Sequence, residues 1–126
     1  MSDKKFSILI VDDEQINIRV LNRILNKDYT VYAARDGQDA LEIAEEFLPS
    51  LILLDIIMPD MDGYDVLSTL KSSEKTKDIP VVFITGLDNE EEIEKGLLLG
   101  AADYIAKPFI EVTVTTKVKK QINLLD

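Results

Sequence analysis

Five side chains have the types and spacing to do chemistry: Asp12, Asp13, Asp55, Thr85 and Lys107. Each stands at or just after the end of a short apolar run, residues 6–11, 51–54, 81–85 and 103–106 in turn. If those runs are parallel strands, function gathers at their carboxyl ends, where the chain leaves for a helix. With the first strand central and beside the third, three carboxylates meet a hydroxyl and an ammonium at one mouth. Clustered carboxylates repel: at about 4 Å and an effective dielectric near 20, each pair costs roughly 4 kcal/mol. Protonation or a divalent cation relieves that cost. Hard oxygen donors suit Mg²⁺ or Mn²⁺, with water completing the octahedron. Lys107 adds positive charge, Thr85 a donor, and Gly86 a backbone N–H that no side chain shields. Such a site would hold a phosphoryl group beside a carboxylate able to act as nucleophile and form an acyl phosphate.

Composition narrows the alternatives. The 126 residues include no His and no Cys, and 24 acidic residues against 14 basic ones give a net charge of −10. Imidazole bases, thiol nucleophiles, disulfides and thiolate zinc sites are excluded. The acidic balance argues against a grip on nucleic acid or anionic lipid. The N-terminus turns acidic at Asp12-Asp13-Glu14, too soon for a signal peptide, and no stretch approaches a membrane span. A cytoplasmic protein of one domain, residues 1–126, is the expectation.

The elements that must position these residues follow from patterning. Apolar runs at 6–11, 29–34, 51–54, 81–85 and 103–106 read as strands, the first, third and fourth apolar on both faces as buried parallel strands are. Between them run helical stripes: Ile16, Val20, Leu21, Ile24 and Leu25; then Ala40, Leu41, Ala44, Phe47 and Leu48, entered through Asp36-Gly37. Val66, Leu67 and Leu70 follow Asp62-Gly63, and Ile93, Leu97 and Leu98 end at Gly100. Residues 110–125 read at period two over Ile110, Val112 and Val114, yet Val114, Val118, Ile122 and Leu125 share a helical face, and helix is the reading adopted. Strand–helix alternation predicts an α/β fold with a parallel sheet and right-handed crossovers. The spacing of Gly96 and Gly100 reads as a helix end with a glycine cap, and the acidic run 88–92 as the charged first turn of the fourth helix.

A lone Asp at a strand end ordinarily caps a helix or closes a turn, and Asp13, Glu14 and Asp62-Gly63 each fit that role. Asp55 stands apart, because a carboxylate after Leu51-Ile52-Leu53-Leu54 has no packing reason to be there. Together, Asp12-Asp13, Asp55 within the run from Leu53 to Gly63, Thr85, Tyr104 and Lys107-Pro108-Phe109 resemble the receiver domain of bacterial two-component response regulators. The similarity runs from about residue 5 to residue 124.

The resemblance implies a flavodoxin-like sheet of five parallel strands, order 2-1-3-4-5, with five helices on both faces. It implies that Asp55 accepts a phosphoryl group from a phosphohistidine on a histidine kinase or histidine phosphotransfer protein. Asp13, Asp55 and the Ile57 backbone carbonyl would ligate Mg²⁺, with Asp12 acting mostly through water. Lys107, Thr85 and the Gly86 N–H would hold the phosphoryl oxygens, and the Lys107–Pro108 peptide is typically cis. Tyr104 would follow Thr85 as a switch, coupling the site to the face of the fourth helix, fifth strand and fifth helix. The expected partners are the phosphodonor protein, an output protein or domain, and a second copy in a phosphorylation-dependent homodimer. The chain would work alone or as the front of a longer regulator, with residues 117–125 continuing into a linker helix.

Rival classes are an aspartate-nucleophile phosphatase and an unphosphorylated interaction module on the same fold. The first commonly carries a second Asp two residues on, where this chain has Ile57; the complete set Asp12, Asp13, Asp55, Thr85 and Lys107 counts against the second. No Gly-rich nucleotide-binding run occurs among the five glycines. Gly86 stands where the family more often has Ala or Ser, and the last helix is rich in β-branched residues. The resemblance implies that Ile57 and Leu87 flank the path of an attacking water, and their apolar side chains are expected to lengthen the life of the acyl phosphate. In Ile57→Asn the phosphoryl mass should decay several-fold faster after the donor is removed; equal or slower decay would contradict this.

Overall fold

The computed structural model describes residues 4–86 and 90–125. Strands β1 (Ser7–Val11), β2 (Thr30–Ala34), β3 (Leu51–Asp55), β4 (Val81–Thr85) and β5 (Asp103–Ala106) alternate with five helices. These are α1 (Gln15–Leu25), α2 (Gly37–Phe47), α3 (Gly63–Lys71), α4 (Glu90–Leu98) and α5 (Glu111–Asn123). The strands form one parallel sheet in the order β2-β1-β3-β4-β5, as expected. Every residue of β3 and β4 is buried, while the edge strands β2 and β5 are largely half-exposed. That contrast is why the central runs are apolar throughout.

Two cores sandwich the sheet. On one face Leu9, Val11, Ile52, Leu54 and Phe83 meet α2 and α3 through Ala40, Ala44, Val66, Leu67 and Leu70. On the other, Ile8, Ile10, Leu51, Leu53, Val82 and Ile84 meet α1 and α5 through Leu21, Leu25, Val114, Val118 and Ile122. The β-branched run at the C-terminus is therefore a helix, because its period-four face has a sheet to cover. Caps form at two of the suggested positions, where Asp36 accepts from the Asp39 N–H at 2.8 Å and Asp62 from the Asp65 N–H at 3.0 Å, while Glu14, the N-cap of α1, makes no side-chain cap bond. Gly63 has a steric role as well, since a Cβ there would fall 2.6 Å from the Asp55 carbonyl oxygen. The third helix can thus start directly against the end of β3.

Several stripe residues lie outside the core, which corrects the sequence reading. Ile16 is exposed, in the first turn of α1 and ahead of the residues that reach the sheet. Phe47 is half-exposed and stacks on Tyr32 with ring centroids 4.8 Å apart. Leu48 takes a left-handed conformation (φ 47) as the C-cap of α2, which turns its side chain outward. On α4, Leu97 and Leu98 face solvent and the buried residue is Gly96, because Phe83 of β4 fills the space a side chain would need. After Leu98 the chain turns at Gly100 (φ 116), and the Ala101 N–H bonds the Gly96 carbonyl at 3.0 Å. Of the acidic run 88–92, Glu90, Glu91 and Glu92 form the first turn of α4; Asp88, Asn89 and the flanking Leu87 lie outside the described residues.

Candidate functional site

Strand register brings the predicted residues together. Val11 pairs with Leu54 and Asp55 with Ile84, so Asp12 emerges from β1 beside Asp55 at the end of β3. On the other side Thr85 pairs with Ala106, which sets Lys107 one step beyond it. Asp12, Asp13 and Asp55 each offer a carboxylate oxygen within 4.8 Å of the others. The Lys107 ammonium lies 3.5 Å from Asp12 Oδ2 and 3.5 Å from Asp55 Oδ2. Asp13, Asp55, Ile57, Thr85, Gly86 and Lys107 line one cleft of about 330 Å³. The Lys107–Pro108 peptide is cis.

Burial sharpens the chemistry. Asp12 is fully buried and Asp55 is 4% exposed, an unusual place for two carboxylates. Asp12 Oδ1 accepts the Glu14 N–H at 2.9 Å, so it also orders the entry to α1. Among the described residues its Oδ2 has no hydrogen-bond partner, and the Lys107 ammonium lies 3.5 Å from it. Asp55 Oδ1 accepts the Ile57 N–H at 3.3 Å. Burial, and then the neighbouring Asp12, push the Asp55 carboxyl up to about 7; Lys107 and the Ile57 N–H oppose the rise. The Lys107 ammonium and the raised Asp55 carboxyl both offset crowding among these carboxylates.

A divalent cation fits this donor set. The cluster offers oxygen alone, and a buried carboxylate oxygen without a hydrogen bond is the kind of ligand a hard cation takes. Thr85 shares the cleft with the carboxylates, whereas Tyr104 is not part of its lining. The Thr85 hydroxyl donates to the Gly86 carbonyl at 3.3 Å. Tyr104 lies on the adjacent strand, two register steps from the level of Thr85. Lys117 of α5 sits 4.2 Å from the Tyr104 ring centroid and bonds its carbonyl at 2.6 Å.

Two residues near the site escaped the sequence reading. Arg35, just after β2, donates to the Asp13 carbonyl at 3.2 Å and so ties down the loop that carries Asp13. Tyr64, next to Gly63, donates to the Glu92 backbone carbonyl at 2.9 Å and to Glu92 Oε2 at 2.5 Å. Neither pair shares a local motif, and only the fold joins them.

The raised Asp55 carboxyl has a consequence for stability. Folding holds on Asp55 a proton that an unfolded Asp releases near its ordinary 3.8. Stability of the metal-free chain therefore falls as pH rises through that interval, and the full cost is present above about 7. In chelator at pH 8, Asp55→Asn should raise the urea midpoint. The gain should shrink toward pH 4, and saturating Mg²⁺ should shrink it at pH 8. A variant no more stable than the native chain at pH 8 would contradict this.

Comparison with known proteins agrees with the geometry. Residues 8–119 match the family model of the response regulator receiver domain. The chain is 43% identical over 113 residues to the response regulator PleD of Caulobacter vibrioides, covering 89% of this chain and 25% of PleD. It is 46% identical over 102 residues to a Vibrio cholerae protein named "Probable cyclic di-GMP phosphodiesterase", covering 81% of this chain and 23% of that one. The chain thus spans about a quarter of the length of these curated relatives. The solved receiver domain of a signal transduction histidine kinase from Syntrophus aciditrophicus superposes with a TM-score of 0.84 at 33% identity, covering 94% of this chain and 90% of that one. With the family model spanning residues 8–119 and a solved receiver domain superposing over 94% of the chain, this chain belongs to the response regulator receiver domain family.

Proposed function

We propose that Asp55 is the phosphoacceptor of a signalling switch formed by residues 1–126, and that its phosphodonor is a phosphohistidine on another protein. The observation that carries this reading is the pair of buried carboxylates, Asp12 and Asp55, meeting the half-buried Lys107 ammonium at the mouth of the cleft, with the Asp55 carboxyl raised to about 7. Loss of the Asp55 proton frees a carboxylate oxygen as nucleophile. The new Asp55 O–P bond forms as the donor's N–P bond breaks, and that electron pair stays with the donor imidazole. This chain has no His, so the imidazole must come from elsewhere: a histidine kinase or a histidine phosphotransfer protein.

Lys107 balances charge on the phosphoryl oxygens, and its two carboxylate contacts already aim its ammonium into the cleft. The Thr85 hydroxyl and the Gly86 N–H supply further donors once Thr85 leaves the Gly86 carbonyl. Asp12, Asp13, Asp55 and the Ile57 carbonyl would hold Mg²⁺ (or Mn²⁺), which when bound supplies positive charge to the carboxylates and phosphoryl oxygens. Tyr104 acts as the switch residue that carries the change to the face of α4, β5 and α5, where an output domain, an output protein or a second copy docks. The chain carries out only its own phosphorylation and dephosphorylation. Ile57, with its side chain exposed, offers no second carboxyl of the kind a phosphatase uses. Among the described residues no helix is long and apolar enough to cross a membrane, and the cytoplasm is the proposed location.

Incubation with Mg²⁺ and a small acyl phosphate donor should add one phosphoryl group by intact mass, mapped to the peptide containing Asp55. Asp55→Asn should lose the adduct, Lys107→Ala should slow its formation at least tenfold, and chelator should abolish it. No adduct on the native chain, or an undiminished one on Asp55→Asn, would overturn the reading.

A further inference from the structure

The fourth helix is thinly anchored. Gly96 is its one fully buried residue among those described, seated over the Phe83 ring, while Leu97 and Leu98 face solvent. A helix with so little apolar burial lies at the low-stability end of a fold. Its first turn is held instead by a polar contact from another element. The Tyr64 hydroxyl donates to both the backbone carbonyl and the side chain of Glu92. The Lys95 ammonium sits 4.4 Å from the Tyr64 ring centroid, and the ring meets Phe83 edge-on at 5.6 Å and 86°. Tyr64 follows Gly63, whose backbone lies against the Asp55 carbonyl. One tyrosine thus ties the end of the phosphoacceptor strand to the start of α4.

The other end of the β4–α4 connection is Thr85-Gly86, which lines the cleft. In the present arrangement the Thr85 hydroxyl is engaged with the Gly86 carbonyl, not with Asp55. A phosphoryl group on Asp55 would draw the Thr85 hydroxyl and the Gly86 N–H toward it, while Tyr64 holds Glu92 at the far end of the same short connection. From this geometry we propose that Tyr64 is a positioning residue that latches α4 in the unphosphorylated arrangement, so that phosphorylation works against the Tyr64–Glu92 bonds. The inference rests on the reading of Asp55 as phosphoacceptor. Burial and Glu92 both raise the phenol above its ordinary value, so it remains an O–H donor at neutral pH.

Tyr64→Phe keeps the ring against Phe83 and removes only the hydroxyl. In this variant beryllofluoride, read by amide chemical shifts at saturating Mg²⁺, should bind about five- to tenfold more tightly, because less of its interaction is used to break the latch. Glu92→Gln retains the backbone acceptor and should tighten binding less. A merely structural tyrosine would lower the melting temperature and leave beryllofluoride affinity unchanged or weaker, and that result would overturn the proposal. Amide exchange without beryllofluoride gives an independent arm. Residues of α4 should exchange faster in Tyr64→Phe while those of α2 do not; unchanged α4 exchange would also overturn it. Failure of the native chain to bind beryllofluoride would count against Asp55 as phosphoacceptor, and the exchange arm would still decide the latch.

Discussion

Two carboxylates buried side by side, Asp12 and Asp55, share a single ammonium, and the rest of the structure is arranged around that charge problem. Parallel pairing of β1 with β3 leaves them no room to separate, since they continue the register of two neighbouring strands. Lys107 offsets part of the repulsion, and the raised Asp55 carboxyl takes up another part as a bound proton. A cation with oxygen ligands would replace both remedies at once, and would leave Asp55 ionised as a nucleophile must be. The repulsion that raises the Asp55 carboxyl and the affinity for a hard cation are thus the same property seen twice.

The scaffold keeps this cluster rigid on one side and adjustable on the other. On the rigid side, Asp12 caps the turn into α1, Gly63 packs against the Asp55 carbonyl, and both strands are covered on both faces. The adjustable side begins at Thr85, whose hydroxyl bonds the next carbonyl and, among the described residues, no other group. It continues into α4, which buries little and relies on Tyr64 at its first turn. A change of charge at Asp55 is therefore more easily accommodated by motion of β4's exit and α4 than by motion of β1 or α1.

Features written in local pattern were legible in the sequence. Five apolar runs became five strands, and Asp12, Asp13, Asp55, Thr85, Gly86 and Lys107 converged because strand ends of a parallel sheet share an edge. The Asp36 and Asp62 caps follow from turn chemistry within three residues. The stripe on α4 misled, because Leu97 and Leu98 lie in a helical pattern while the contact surface belongs to a glycine beneath a phenylalanine from another strand. Ile16 misled for a related reason: periodicity gives the face of a helix and not how far along its length that face is covered. Tyr64–Glu92, 28 residues apart, and Arg35–Asp13, 22 apart, depend on tertiary placement with no periodic signal.

A cation entering the cluster would displace the proton that burial and Asp12 favour on Asp55. Calorimetric titration of the native chain with Mg²⁺ at pH 7, in two buffers of different ionisation enthalpy, measures it directly. The heats should differ between buffers in the direction of proton release on Mg²⁺ binding, since burial and Asp12 raise the Asp55 carboxyl to about 7. That difference should vanish at pH 9 and in Asp55→Asn. Heats that do not depend on buffer in the native chain at pH 7 would contradict it.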